Sequence, residues 1–221
     1  MAFRKYLQQR EWTSLSRVRS LVYLKDEQQL LVAKKKLRNE ILQERRSLDR
    51  NYRDVATKAI TETILAMAEF TSCQCLFTYI GVGDEFDTRE LINRSVSEQK
   101  RVGVPRVSGK HQLVIHQFQN YDALTKSSFG LLEPQRESPI IEPAQLDLII
   151  VPCVTSNLKG ERLGYGGGFY DHFLRSNQVK AVTVLPIFSP LLREDIPLGE
   201  YDQAVDIVVT ESGIVYNRTN L

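Results

Sequence analysis

The chain has 221 residues, 42% of them hydrophobic and 25% charged, with a net charge of +2. That length and apolar share suit one domain with its own core. The near-neutral balance argues against a nucleic-acid binder, and no apolar run approaches the roughly 18 residues of a membrane-spanning helix.

Residues 1–33 read as an N-terminal extension. Up to Lys25 they carry Arg4, Lys5, Arg10, Arg17, Arg19 and Lys25 against the single acid Glu11. That balance resembles a mitochondrial transit peptide, but the serine richness of such peptides is missing, and a simple helical extension is the expectation. A helix is predicted over 26–47, where Leu30, Leu37, Ile41 and Leu48 fall near one face. Asp49 or Asn51 can cap the next helix. Its apolar face is Tyr52, Val55, Ala56, Ala59, Ile60, Thr63, Ile64 and Met67, at alternating 3 and 4 spacing.

Cys75 to Ile80 then reads as a buried strand stopped by Gly81 and Gly83. Asp87-Thr88-Arg89-Glu90 resembles a capping box launching a helix to Ser97. Strands are predicted over 101–107 and 112–118, with Lys110 in the turn between them. Residues 120–145 read as a surface connection. Leu146 to Pro152 is apolar throughout, as in a strand buried on both faces. After the loop 153–168 come a helix over 169–175, a strand over 180–185 and a last strand over 206–210. This alternation predicts an α/β fold: a single three-layer, Rossmann-like domain with a mostly parallel central sheet flanked by helices. Cys73, Cys75 and Cys153 read as free thiols, since three cysteines make no disulfide framework.

The loop 160–171 carries the sharpest chemical signal. It follows a buried strand and precedes a helix, where α/β sheets bind ligands. Gly164, Gly166, Gly167 and Gly168 surround Tyr165. Glycines permit positive φ and close backbone approach, so successive N–H groups can form an anion nest. The Gly-Lys-Ser/Thr of a Walker loop is absent. A flexible linker is the bland alternative, but Arg162, Tyr165, Tyr170 and Asp171 are not linker residues. Asp171 can cap the helix or hold Mg²⁺ beside substrate phosphates. Asp202 and Asp206 are candidates for a second carboxylate. Lys34 and Arg38 share a helix face, as a solvated basic surface or as a phosphate clamp. His111 and His116 read as structural. No H-E-x-x-H or G-x-S-x-G occurs.

The stretch Gly160-Glu161-Arg162-Leu163-Gly164-Tyr165-Gly166-Gly167-Gly168-Phe169-Tyr170-Asp171 closely resembles the signature of the 5-formyltetrahydrofolate cyclo-ligase (methenyltetrahydrofolate synthetase) family. Lys34-Lys35-Lys36-Leu37-Arg38, Asp84-Glu85-Phe86-Asp87-Thr88, Val104-Pro105-Arg106-Val107 and Gly130-Leu131-Leu132-Glu133-Pro134 resemble further family elements in the same order. The likeness covers about 34–214, which makes 34–221 the enzyme domain. It implies ATP- and Mg²⁺-dependent conversion of 5-formyltetrahydrofolate to 5,10-methenyltetrahydrofolate, ADP and phosphate. By this resemblance Lys34 to Arg38 and Arg162 to Tyr170 bind ATP, with Arg162, Lys34 and Tyr165 at the chemistry. Asp171 and Asp202 hold Mg²⁺. Ile80, Glu85, Tyr165, Gly166, Gly167, Gly168 and Phe169 contact the folate. A cytoplasmic monomer acting on a small molecule is expected, without nucleic-acid or membrane partners.

Departures from the family pattern cluster beneath the loop. Pro152-Cys153-Val154-Thr155-Ser156-Asn157 stands where P-G-V-A-F-D is common, and His172 follows Asp171 in place of arginine. Leu191 stands near an expected glutamine. A non-catalytic folate- or nucleotide-binding protein of the same fold is the alternative these changes suggest.

Overall fold

The computed structural model describes residues 26–127 and 130–218. The basic segment 1–25 lies outside the described residues. Helix α1 is described over 26–47, as its periodicity predicts, so residues 26–33 already belong to it. Asp49 caps α2 (Arg50–Ala66), accepting from the Tyr52 N–H at 3.0 Å. The buried face of α2 is Ala56, Ile60, Thr61 and Ile64. Val55, expected on that face, is 61% exposed. Thr61 replaces it because the helix turns its 56–60–64 stripe to the sheet. A short α3 (Ala68–Ser72) leads into β1 (Cys75–Phe77).

Strand β1 is shorter than the predicted 75–80. Past Phe77, Thr78 N still donates to Gly103 O, but the chain then bends. Thr88 Oγ1 holds the bend by donating to Tyr79 O at 2.6 Å. The expected capping box from Asp87 to Glu90 does not form. Thr88 is the N-cap of α4 (Arg89–Ser97) without a side-chain cap bond, and Asp87 accepts from the Arg89 N–H instead.

Strands β2 (Arg101–Gly109) and β3 (Gln112–Gln117) form an antiparallel hairpin with His111 at its turn, φ 58°. The 120–145 connection is more ordered than predicted. It carries the hairpin β4 (Thr125–Lys126) and β5 (Leu132–Glu133), and it buries Glu133 and Ile141. Strand β6 (Leu148–Ile150) is wholly buried. A small hairpin, β7 (Thr155–Ser156) with β8 (Arg162–Leu163), follows it within the predicted loop. Then come α5 (Phe169–Leu174), β9 (Val182–Pro186), β10 (Ile207–Thr210) and an antiparallel edge strand β11 (Gly213–Asn217) that the sequence pattern did not reveal.

The sheet order is β11-β10-β9-β6-β1-β2-β3. The pairs from β10 through β2 are parallel, and both edges are antiparallel. This is the expected single α/β domain with a mostly parallel, helix-flanked sheet. Its main core cluster runs from Ile41 and Ile60 through Phe77, Ile149 and Val208, and a smaller one gathers Ile92, Val102, Val104 and Phe118. Among the described residues no helix is long and apolar enough to cross a membrane.

Candidate active site

The chain leaves β1 toward β2 on one side, while β6 on the other side leads outward to β9 and β10. The loops at the carboxyl ends of β1 and β6 therefore part, and such a switch point opens a crevice. Here it is a cleft of about 620 Å³. The β1 loop contributes Tyr79, Ile80, Val82 and Glu85, and the glycine loop contributes Gly164 to Asp171. Lys34 and Arg38 reach in from α1, and Asp202 from the turn before β10.

The glycine loop has the conformation its composition predicts where it must turn: φ is +98° at Gly166 and +66° at Gly168. A Cβ on Gly166 would lie 3.3 Å from the Arg38 guanidinium carbon. Two side chains fix the loop's carbonyls. Arg38 Nε donates to Gly164 O at 2.8 Å, and His111 Nδ1 lies 2.5 Å from Gly167 O. In a trans peptide the following N–H points the opposite way. Among the described residues the N–H groups of Tyr165 to Gly168 have no acceptor, so they remain as donors for an anion.

Arg162 is 4% exposed, and its Nη2 donates to Asp171 Oδ1 at 2.7 Å. Its Nε is buried without a partner, as is the Tyr170 hydroxyl. Such orphaned donors are costly unless a ligand satisfies them. Tyr170 is held rigidly, stacked on Phe77 at 5.8 Å. Burial raises its pKa, so the hydroxyl keeps its proton. Lys34 Nζ pairs with Asp202 Oδ2 at 2.5 Å. Each aspartate engages through one oxygen, Asp171 Oδ1 also accepting from Gln203 N and Asp202 Oδ2 from Gly199 N. That leaves one oxygen of each free for a cation. Two carboxylates beside a loop of free N–H groups are a chemically suitable donor set for Mg²⁺ with a bound anion. Among the described residues no group of three or more His, Cys, Asp or Glu is placed to hold a metal ion by itself.

The other singled-out residues separate by position. Lys35 and Lys36 are exposed, with Lys36 paired to Glu40, and Leu37 packs on the core. Leu163 is 3% exposed and Phe169 lines the cleft. Asp206 accepts from Thr183 N and Oγ1 at the amino ends of β9 and β10, away from the cleft. Ile80 lies on an apolar wall with Val82, Pro105, Val107, Leu113 and Leu132. Tyr165 is 43% exposed, but its hydroxyl end is set down beside Glu85 and accepts from Arg45 Nη1 at 2.7 Å. Burial and Glu85 raise its pKa. Burial lowers the Arg38 pKa, with Asp202 opposing.

A sequence model described as the 5-formyltetrahydrofolate cyclo-ligase family matches residues 31–211. The chain belongs to that family. The mitochondrial 5-formyltetrahydrofolate cyclo-ligase of Arabidopsis thaliana is 30% identical over an alignment of 209 residues that covers 82% of this chain and 75% of that protein. The Haemophilus influenzae cyclo-ligase is 28% identical, covering 80% of this chain and 97% of its own. The solution structure of Aquifex aeolicus 5,10-methenyltetrahydrofolate synthetase superposes with a TM-score of 0.73 at 27% identity, over 84% of this chain and 93% of that one. A Mycoplasma pneumoniae synthetase, 19% identical, shares the fold with a TM-score of 0.66 over 80% and 98%.

The cyclo-ligase cleft includes residues to which the sequence reading gave no role there, among them Arg45, which reads as part of a solvated basic face but is 6% exposed. Arg45, Tyr79, Pro105, Val107, Leu113 and Glu133 all lie at or around it. The Val-Pro-Arg-Val and Gly-Leu-Leu-Glu-Pro elements were the available signal for part of this wall, but they carried no assigned role. Cys153, at the end of β6 beneath the glycine loop, is a free thiol whose pKa burial pushes up to about 12. Cys73 is raised to about 11 for the same reason. At pH 8 only about one Cys153 in 10⁴ is thiolate. Native protein at that pH is therefore expected to take up iodoacetamide at Cys153 far more slowly than unfolded protein does. Mass spectrometry of the alkylated peptides checks this.

Proposed function

We propose that this cyclo-ligase closes 5-formyltetrahydrofolate to 5,10-methenyltetrahydrofolate, consuming ATP and releasing ADP and phosphate. The observation that carries the reading is the buried, unpartnered Arg162 Nε beside a glycine loop whose N–H groups are free. Such a site suits an oxyanion, and phosphoryl transfer needs positioned positive charge more than a protein nucleophile. No catalytic serine, cysteine or histidine is then required.

The nucleotide phosphates lie along the glycine loop, held by its N–H groups, Arg38 and Lys34. Arg162 stands at the phosphoryl group in flight, with Tyr165 beside it. The formyl oxygen of the folate takes the γ-phosphoryl group. The neighbouring folate nitrogen then attacks the formyl carbon, and the C–O bond breaks to release phosphate. Ile80 and the apolar wall seat the folate ring, with Glu85, Tyr165 and Phe169 against it. Asp171 and Asp202 hold Mg²⁺, which when bound neutralises phosphate charge. The reading includes action as a cytoplasmic monomer. Three free thiols suit a reducing compartment, and one chain supplies the whole cleft.

Purified protein given MgATP and 5-formyltetrahydrofolate is expected to generate the near-ultraviolet absorbance of the methenyl product. Well-folded protein that binds both ligands without any such signal would leave a non-catalytic binder instead.

A further inference from the structure

Arg45 lies outside every motif, yet it occupies the one place where three parts of the site meet. It is 6% exposed, on the last turns of α1. Its Nε and Nη2 both reach Asp84 Oδ1, at 3.1 and 3.0 Å. Its Nη1 donates to the Tyr165 hydroxyl at 2.7 Å, and the guanidinium carbon lies 5.6 Å from that ring's centre. Asp84 precedes Glu85 in the β1 loop, and Tyr165 stands in the glycine loop. The same guanidinium therefore ties together the two loops that part at the switch point.

A buried guanidinium is stabilised only when its partners are well placed. Asp84 supplies the compensating charge, and the phenol supplies a neutral acceptor. With its oxygen occupied by Arg45, the phenol must turn its own proton elsewhere, and the Glu85 carboxylate lies beside it. Glu85 itself accepts from the Val82 N–H at 3.0 Å, which holds it on the cleft wall. The Arg fork has the fixed planar geometry for this, whereas a lysine offers a single point charge.

We infer that Arg45 is a positioning residue for the folate: acting through Asp84 and Tyr165, it sets Glu85 and the Tyr165 ring as one wall against the substrate. This rests on the cyclo-ligase reading for the identity of the ligand. Its effect falls on the Tyr165 hydroxyl and Glu85 and not on the cations that would hold the nucleotide, because Lys34, Arg38 and Arg162 make their contacts elsewhere.

The test compares Arg45→Lys, Tyr165→Phe and the double variant with wild type. Thermal melting reports on folding, and calorimetry gives the affinities for 5-formyltetrahydrofolate and, separately, for ATP. Arg45→Lys is expected to weaken folate binding by about tenfold or more, the scale of one lost charge-assisted hydrogen bond, and to change ATP binding less than about twofold. Tyr165→Phe removes the acceptor while keeping the ring and the Arg45–Asp84 pair, and shifts folate binding in the same direction. The double variant is expected to be no worse than the poorer single one, since both cut the same link. Equal loss of both affinities, strictly additive effects, or folate binding unchanged in a folded Arg45→Lys protein would overturn the inference. So would a wild type that binds no folate. A wild type that binds folate without turnover would defeat the proposed reaction alone, and the affinity comparison would still decide the role of Arg45.

Discussion

Replacing Arg162 with alanine is expected to lower kcat by ~10³-fold or more, the scale at which phosphoryl-transfer enzymes lose an arginine that meets the transferring group. Nη2 already has Asp171, so the unpartnered Nε is the donor a ligand must complete. An interaction made mainly in the transition state shows in kcat more than in KM. Arg162→Lys separates charge from geometry. The ammonium keeps the charge but loses the fork, so a loss of about 10²-fold or more is expected there too. Breaking the Asp171 pair at a site 4% exposed costs some stability as well. Melting curves must therefore show folded protein at the assay temperature. Steady-state kinetics in which folded Arg162→Ala turns over near the wild-type rate would place the chemistry elsewhere.

Asp171→Asn is expected to be nearly as severe, with a different signature. The amide still packs beside Arg162 and still accepts from Gln203 N, but it no longer offers a charged oxygen to Mg²⁺. The Mg²⁺ concentration for half-maximal rate should rise by about tenfold or more, and saturating metal should restore part of kcat. Asp206→Asn is the comparison. Its carboxylate binds Thr183 at the amino ends of the strands, so it should alter stability and leave the Mg²⁺ dependence as in wild type. Identical Mg²⁺ titrations for Asp171→Asn and wild type would remove Asp171 from the metal site.

The contrast between Asp202 and Asp206 shows where sequence reading stops. Asp202 precedes the last predicted strand and Asp206 opens it, and in sequence both look alike as loop acids. Only tertiary structure puts one on Lys34 and the other at the far end of the sheet. The features that were legible are locally encoded. The helix 26–47 follows from side-chain periodicity, β6 from an unbroken apolar run, and the glycine loop from residues that tolerate positive φ. What escaped was short or non-local. Hairpin β7–β8 has two residues per strand, too few for any period, and β11 carries a bulge where it pairs with β10. Arg45 meets Tyr165 across 120 positions and His111 meets Gly167 across 56, and no spacing rule spans such distances. The substitutions at Cys153 to Asn157 look disruptive as letters. In the fold, Thr155 Oγ1 donates to Leu191 O, Ser156 Oγ to Glu161 O, and Asn157 accepts from Lys159 N and Glu161 N. The replaced residues knit their own support for the loop above them.

The ion pair between Lys34 and Asp202 joins positions 168 residues apart. During synthesis, α1 emerges long before the turn that carries Asp202, so the cleft cannot exist until nearly the whole chain has left the ribosome. Newly made protein would pass through a stage with Lys34 and Arg38 in place and nothing to hold. On the proposed reading, a nucleotide arriving afterwards would fasten the first described helix to the turn before the last parallel strand, and ligand supply would then bear on how long each new molecule survives, quite apart from how fast it works.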